Sequence, residues 1–155
     1  MNISTSILLA GVTAAAVGAA RIVQETRHQR QRNETVLAGH QIEWLSQVSA
    51  NADLAEMWAP VGVEARAYQE YMTANRMFCQ LSLRNRLGFV TERQLPFHAS
   101  ALMNVEACRR YWARFAAVRE EEAIGDEVAE KFNAAMRIAF HAHDQKQSAS
   151  ASAAR

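Results

Sequence analysis

Cysteine is nearly missing from this chain: Cys79 and Cys108 are its only two. Neither has a second Cys or a His at metal-site spacing, so the residues offer no zinc site and no disulfide framework. Both thiols read as small core residues. Charge of one sign is scarce as well. The formal net charge is +1, and residues 34–155 hold thirteen Lys or Arg against fifteen Asp or Glu. Affinity for nucleic acid comes from neutralising several phosphates, so no nucleic-acid partner is expected. No stretch alternates apolar and polar residues as a half-buried strand does, and β-branched residues are sparse. The expected fold is therefore all-α.

Catalytic signatures are also lacking. No nucleophile, base and orienting acid fall in a recognisable local arrangement, so no catalytic residue and no cofactor is assigned. His141 and His143 are two residues apart, which on a helix points them about 200° from each other and away from a shared metal. His28, His40 and His98 stand alone. The run Glu120, Glu121, Glu122, Asp126, Glu127 and Glu130 lacks the alternating ligands and glycine of a calcium loop. It reads as a solvated acidic face, with a partner-binding patch as the sharper alternative.

What is present begins with an apolar segment. Residues 3–20 carry no charged side chain, and the next twelve carry Arg21, Arg27, Arg30 and Arg32 against Glu25 alone. About 20 apolar residues in a helix span the hydrocarbon core of a bilayer, so residues 1–23 are expected to form a transmembrane anchor. Residues 24–33 follow as a basic juxtamembrane collar suited to anionic head groups. Residues 3–20 are weakly hydrophobic, since Ile3, Ile7, Leu8, Leu9, Val12 and Val17 are their large aliphatics. A cleaved signal peptide and a buried helix are the competing readings; the former carries positive charge ahead of its apolar run, which is not seen here. The Arg excess places the C-terminal domain in the cytoplasm, as a single-pass protein of the cell membrane. Gly11 with Ala15, and Ala14 with Gly18, are small residues four apart, a spacing through which two anchors could pair as a homodimer.

The remaining 34–144 segment is punctuated into helices. Leu37, Trp44, Leu45 and Val48 continue the first helix, with a break expected near Gly39, to about Ser49. Asn51 or Asp53 caps a short helix over 54–58, ended by Pro60 and Gly62. A helix over 64–87 stops at Gly88. Thr91 with Gln94 is a capping-box pattern, and Phe97, Ala101, Val105, Cys108, Trp112 and Phe115 form the apolar face of one following helix. Gly125 and Asp126 restart a last helix with Val128, Phe132, Ala135, Met136 and Ala139 on its buried side. Short connections favour a small antiparallel bundle. Residues 145–155, rich in Ser and Ala, are expected to be a disordered tail.

The helix over 64–87 is unusual in its polarity. Tyr68, Tyr71, Asn75, Ser82 and Asn85 share a stripe that elsewhere would be Leu or Val. Buried, those groups need partners, since an unpaired one costs roughly 1–3 kcal/mol. Tyr111, Trp112 and Trp58 are the expected neighbours. The stripe reads as a hydrogen-bonded aromatic core or, alternatively, as a polar pocket on Tyr68, Tyr71 and Asn75.

At this point the residues resemble a family. Asp53-Leu54-Ala55-Glu56-Met57-Trp58-Ala59-Pro60, Tyr71 with Asn75, Leu87-Gly88 and Arg110-Tyr111-Trp112 are similar to the landmark order of an uncharacterised actinobacterial family of small, membrane-anchored helical proteins. The resemblance implies that architecture and no activity. Two functions follow as expectations. The first is a non-enzymatic interaction or regulatory module that recruits an unknown protein partner at the inner membrane face through Trp58, Pro60 and the acidic residues Glu120, Glu121, Glu122, Asp126 and Glu127. The second is a small-molecule or lipid-sensing domain, or an enzyme of unrecognised type, built on the polar stripe.

Overall fold

The computed structural model describes the backbone of residues 3–153 and the side chains of residues 24–26 and 28–148. The described residues form six helices and no strand. They are α1 Ile3–Ala50, α2 Ala52–Trp58, α3 Ala65–Arg86, α4 Leu95–Met103, α5 Glu106–Glu122 and α6 Glu127–Ala153. The chain divides into two compact units, Met1–Leu37 and Ala38–Arg155. In the first, the described side chains are mostly exposed, and Arg30 Nε pairs with Glu34 one turn on at 3.1 Å. Among the described residues no helix is long and apolar enough to cross a membrane. The side chains of the expected anchor, residues 1–23, and its small-residue pairs lie outside the described residues.

The second unit is a helical bundle with its core among α3, α4, α5 and α6. Phe78 stacks on Tyr111 and Trp112 at centroid distances of 5.3 and 5.6 Å. Met103, Cys108, Phe132 and Met136 close around them with almost no exposure. Full burial of side chains of this size contributes about 1.5–3 kcal/mol each, so this cluster supplies most of the folding drive. A smaller cluster joins Leu45 and Val48 of α1, Ala55 of α2 and Met72 of α3.

Local chemistry sets the breaks. Asn51 ends α1 and starts α2: its Oδ1 accepts from the amides of Asp53 at 2.9 Å and Leu54 at 3.2 Å, satisfying two otherwise orphaned donors. At the end of α3, Gly88 takes φ +80°, and the amides of Phe89 and Gly88 donate to the carbonyls of Arg84 and Asn85. That crossed pair of bonds closes the helix in a Schellman motif. Asn85 Nδ2 then holds the Val90 carbonyl at 2.9 Å, which seats the buried Val90.

Three sequence expectations are corrected. No break falls at Gly39, because a single exposed glycine weakens a helix by only about 1 kcal/mol. The one helix expected after Thr91 is two. Val105 is extended, at φ −87° and ψ 120°, and splits α4 from α5; the Thr91–Gln94 bonds that were to cap the helix instead shape the turn before α4. Arg109 Nη1 reaches back to the Met103 carbonyl at 2.6 Å and satisfies the open end of α4. The split lets α4 lay Leu95, Ala99 and Leu102 onto the core while Phe97, expected on the buried face, is 74% exposed. Lastly, residues 145–153 continue α6 where a disordered tail was expected. No Gly or Pro follows Gly125, and Ala, Gln and Lys all favour helix, so nothing local stops it.

Candidate functional site

The polar stripe of α3 divides between its neighbours. Tyr68 joins the small cluster beneath α1 and α2. Tyr71 meets Phe115 of α5 edge-on at 5.6 Å, with the Arg114 guanidinium 5.7 Å from its ring centre. Asn75 is the hub. Its Oδ1 accepts from Tyr111 Oη at 2.9 Å, from Arg119 Nη1 at 3.3 Å and from Cys79 Sγ at 3.5 Å. Arg119 Nη1 also donates to Tyr111 Oη at 3.3 Å, and its guanidinium lies 5.5 Å from the centre of the Phe78 ring. Asn133 of α6, itself buried, donates to the Arg119 carbonyl at 2.7 Å and ties the end of α5 to α6.

The electrostatics of this cluster follow from burial. Desolvation pushes the Tyr111 hydroxyl and the Cys79 thiol above their ordinary values, and Arg119 pulls both back in part. Cys108, fully buried and with its Sγ 3.8 Å from Met77 Sδ, is pushed up to about 11 by desolvation, with Arg109 opposing. Thiols held protonated in this way are poor nucleophiles. The cysteines are free. Tyr71 and Asn75 thus serve as packing and hydrogen-bonding residues of the α3–α5 contact, with Phe115, Tyr111 and Arg119 as the partners, while Tyr68 packs in the smaller cluster. Arg119 stands 44 positions from Asn75 and carried no signal in the sequence.

The acidic residues are largely paired. Glu120 meets Arg137 at 2.7 Å, Asp126 meets Arg86 at 2.5 Å, and Glu127 shares Lys131 with Glu92 at 3.0 and 2.9 Å. For Asp126, desolvation raises its carboxyl, but the Arg86 bond and the amides of Ala129 and Val128 outweigh it and hold the group below its ordinary value. Glu92 and Glu127 push Lys131 up to about 12. Glu121 and Glu122 are exposed. Among the described residues no group of three or more His, Cys, Asp or Glu converges to hold a metal. His98 lines an open groove of about 450 Å³ between α1, α3 and α4, with Ile42, Met77 and Leu81. A second, apolar groove of about 410 Å³ runs between α4 and α6 past Pro96, Ala135 and Ile138.

Trp58 stands apart from the acidic run. It packs edge-on against Trp44 of α1 at 6.0 Å and remains 54% exposed, beside Met57 at 71%. Its helix α2 rests on α3 and touches neither α5 nor α6, so the two halves of the expected partner surface are not one face. In the collar, Arg32 is exposed, Arg30 is paired as described, and the side chains of Arg21 and Arg27 lie outside the described residues.

Compared with known families, residues 3–154 match the model of a family of unknown function, DUF6082. The chain belongs to the DUF6082 family. The match takes in every helix of this DUF6082 member, including the N-terminal apolar segment. No curated protein and no solved structure matches it. The landmarks that carried the resemblance hold structural posts in the DUF6082 fold: Trp58 at the α1–α2 corner, Asn75 at the hub, Gly88 at the stop of α3, and Tyr111-Trp112 in the core.

Proposed function

We propose that this DUF6082 chain is a non-enzymatic interaction module, tethered to the cell membrane by a single N-terminal span, whose cytoplasmic helical domain recruits a protein partner at the inner face. The uncharged run over residues 3–20 and the Arg excess after it support the tether and its orientation. Arg30 and Arg32, exposed beside Arg21 and Arg27 in sequence, suit anionic head groups.

The observation that carries the recruiting role is the exposed corner of Trp44, Met57, Trp58 and Val61. Tryptophan and methionine are enriched at protein interfaces, and the Trp44–Trp58 contact that ties α2 to α1 still leaves 40% and 54% of the two side chains open to solvent. The polar stripe, by contrast, is engaged by Tyr111, Phe115 and Arg119, which argues against the sensing alternative at Tyr68, Tyr71 and Asn75. Fractionation with carbonate extraction, followed by protease protection of a C-terminal tag, tests the tether. A carbonate-soluble full-length chain would sink it. A photo-crosslinker at Met57 tests the recruiting surface against the same probe at Lys146: a discrete adduct from residue 57 alone is expected, and equal yields from both sites would count against the reading.

A further inference from the structure

Charge around the exposed corner is of one sign. Residues 41–65 contain Glu43, Asp53, Glu56 and Glu64 and no Lys or Arg. All four carboxylate residues are exposed, and among the described residues none of them takes part in an ion pair, in contrast to Glu120, Asp126 and Glu127. Of the four arginines of α3, the helix packed beneath, Arg84 and Arg86 fall in its last turn, Arg76 is engaged with Ser46 Oγ at 2.9 Å, and Arg66 is exposed near its start. Trp44 and Trp58, set 84° apart and both partly exposed, stand in this same stretch of sequence.

An apolar corner flanked by unpaired carboxylates is repelled by an anionic lipid face and attracted to a cationic one. We infer that this corner docks a basic amphipathic helix of the partner protein. Its apolar side chains lie on Met57 and Trp58, and its Lys or Arg side chains answer Glu43, Asp53, Glu56 and Glu64. The match is the familiar one of an amphipathic helix on a hydrophobic surface, read through anchors three and four residues apart. A cation over an open Trp face adds to it. This inference rests on the interaction reading above and gives the partner its chemistry.

The test uses the full chain in nanodiscs of zwitterionic lipid, with empty discs as blank, and a fluorescent amphipathic peptide of Lys and Leu read by anisotropy. A peptide of the same pattern with Glu for Lys is the control. The Lys–Leu peptide is expected to bind, more weakly as salt rises, and the Glu–Leu peptide not to bind. The combined variant E43Q, D53N, E56Q and E64Q should weaken binding roughly tenfold, which is about 1.4 kcal/mol shared among four exposed charges. Trp58→Ala should weaken it about thirtyfold, as loss of an interface anchor does. Circular dichroism of each variant should match the parent.

Equal binding of the two peptides, or unchanged affinity in the neutralised variant, would overturn the inference. Crosslinking at Met57 in cells separates this failure from that of the recruiting role. An adduct whose captured segment is neutral or acidic overturns the basic partner and leaves recruitment standing. No adduct, together with no peptide binding, overturns both.

Discussion

Replacing Asn75 by Ala removes the acceptor on which three donors converge. The Tyr111 hydroxyl has one proton, and it points at Asn75 Oδ1; the other neighbour of that oxygen, Arg119 Nη1, is itself a donor. Asn75→Ala therefore leaves the proton without an acceptor in a half-buried place. A lost neutral hydrogen bond costs about 1 kcal/mol and an orphaned donor about 1 more, giving roughly 2 kcal/mol in all. For a domain of this size that is a fall in Tm of about 8 °C. Tyr111→Phe keeps the ring on Phe78 and removes the donor together with its need, so about 1 kcal/mol is expected from it alone. In the double variant the phenyl ring has nothing left to satisfy. The pair should then show a coupling of about 1 kcal/mol in a double-mutant cycle measured by urea unfolding. Additive costs, within about 0.3 kcal/mol, would show that Asn75 and Tyr111 act independently and would refute the hub.

Other expectations follow from the same geometry. Burial holds the Cys108 proton up to about 11, whereas an exposed thiol loses it near 9. Its contribution is therefore whole below pH 9 and falls by roughly 3 kcal/mol as pH rises to 11; Cys108→Ala should flatten that slope in urea titrations from pH 8 to 11. Asp126 is depressed in the fold, so its pairing stabilises above its unfolded value of 3.8 and is lost as pH falls below it. Asp126→Asn should cost about 0.5 kcal/mol at pH 7, allowing for solvent screening, and the difference from the parent should shrink as pH falls below 3.8. Gly88→Ala forces a side chain into φ +80° and should cost about 1 kcal/mol by thermal melts, with no change in the α-helical spectrum.

Much of this fold was legible because its punctuation is local. Asn51, Gly88 and Gly125 act within a few residues of themselves, and the 3.6-residue spacing of Phe132, Met136 and Ala139 needs no distant partner to be read. The division at Val105 was not legible. Phe97, Ala101, Val105 and Cys108 continue one helical face in sequence, and only the core decides that α4 must turn its Ala99 edge inward and leave Phe97 out. The candidate site shows the same limit. Asn75 could be marked as needing a partner, but Arg119 reaches it through a tertiary contact that no spacing rule encodes, and Asn133 holds the Arg119 carbonyl in the same way. The pairing of the acidic run was legible only at Glu127, whose Lys131 follows four residues on; Arg86 and Arg137, which meet Asp126 and Glu120, come from elsewhere in the fold.

Those cations matter for how α6 behaves along its length. Asp126, Lys131, Asn133 and Arg137 bind its first turns to α3, the α3–α4 connection and α5, and Phe132, Met136 and Ala139 are sunk in the core. From His141 to Ser148 the side chains are exposed except His143. Amide hydrogen exchange should therefore see two helices in one: protons up to about Phe140 released only when the whole bundle opens, and those beyond it released by fraying from the end. A label or fused partner placed after Ser148 would hang on a stretch of helix whose loss the bundle does not feel.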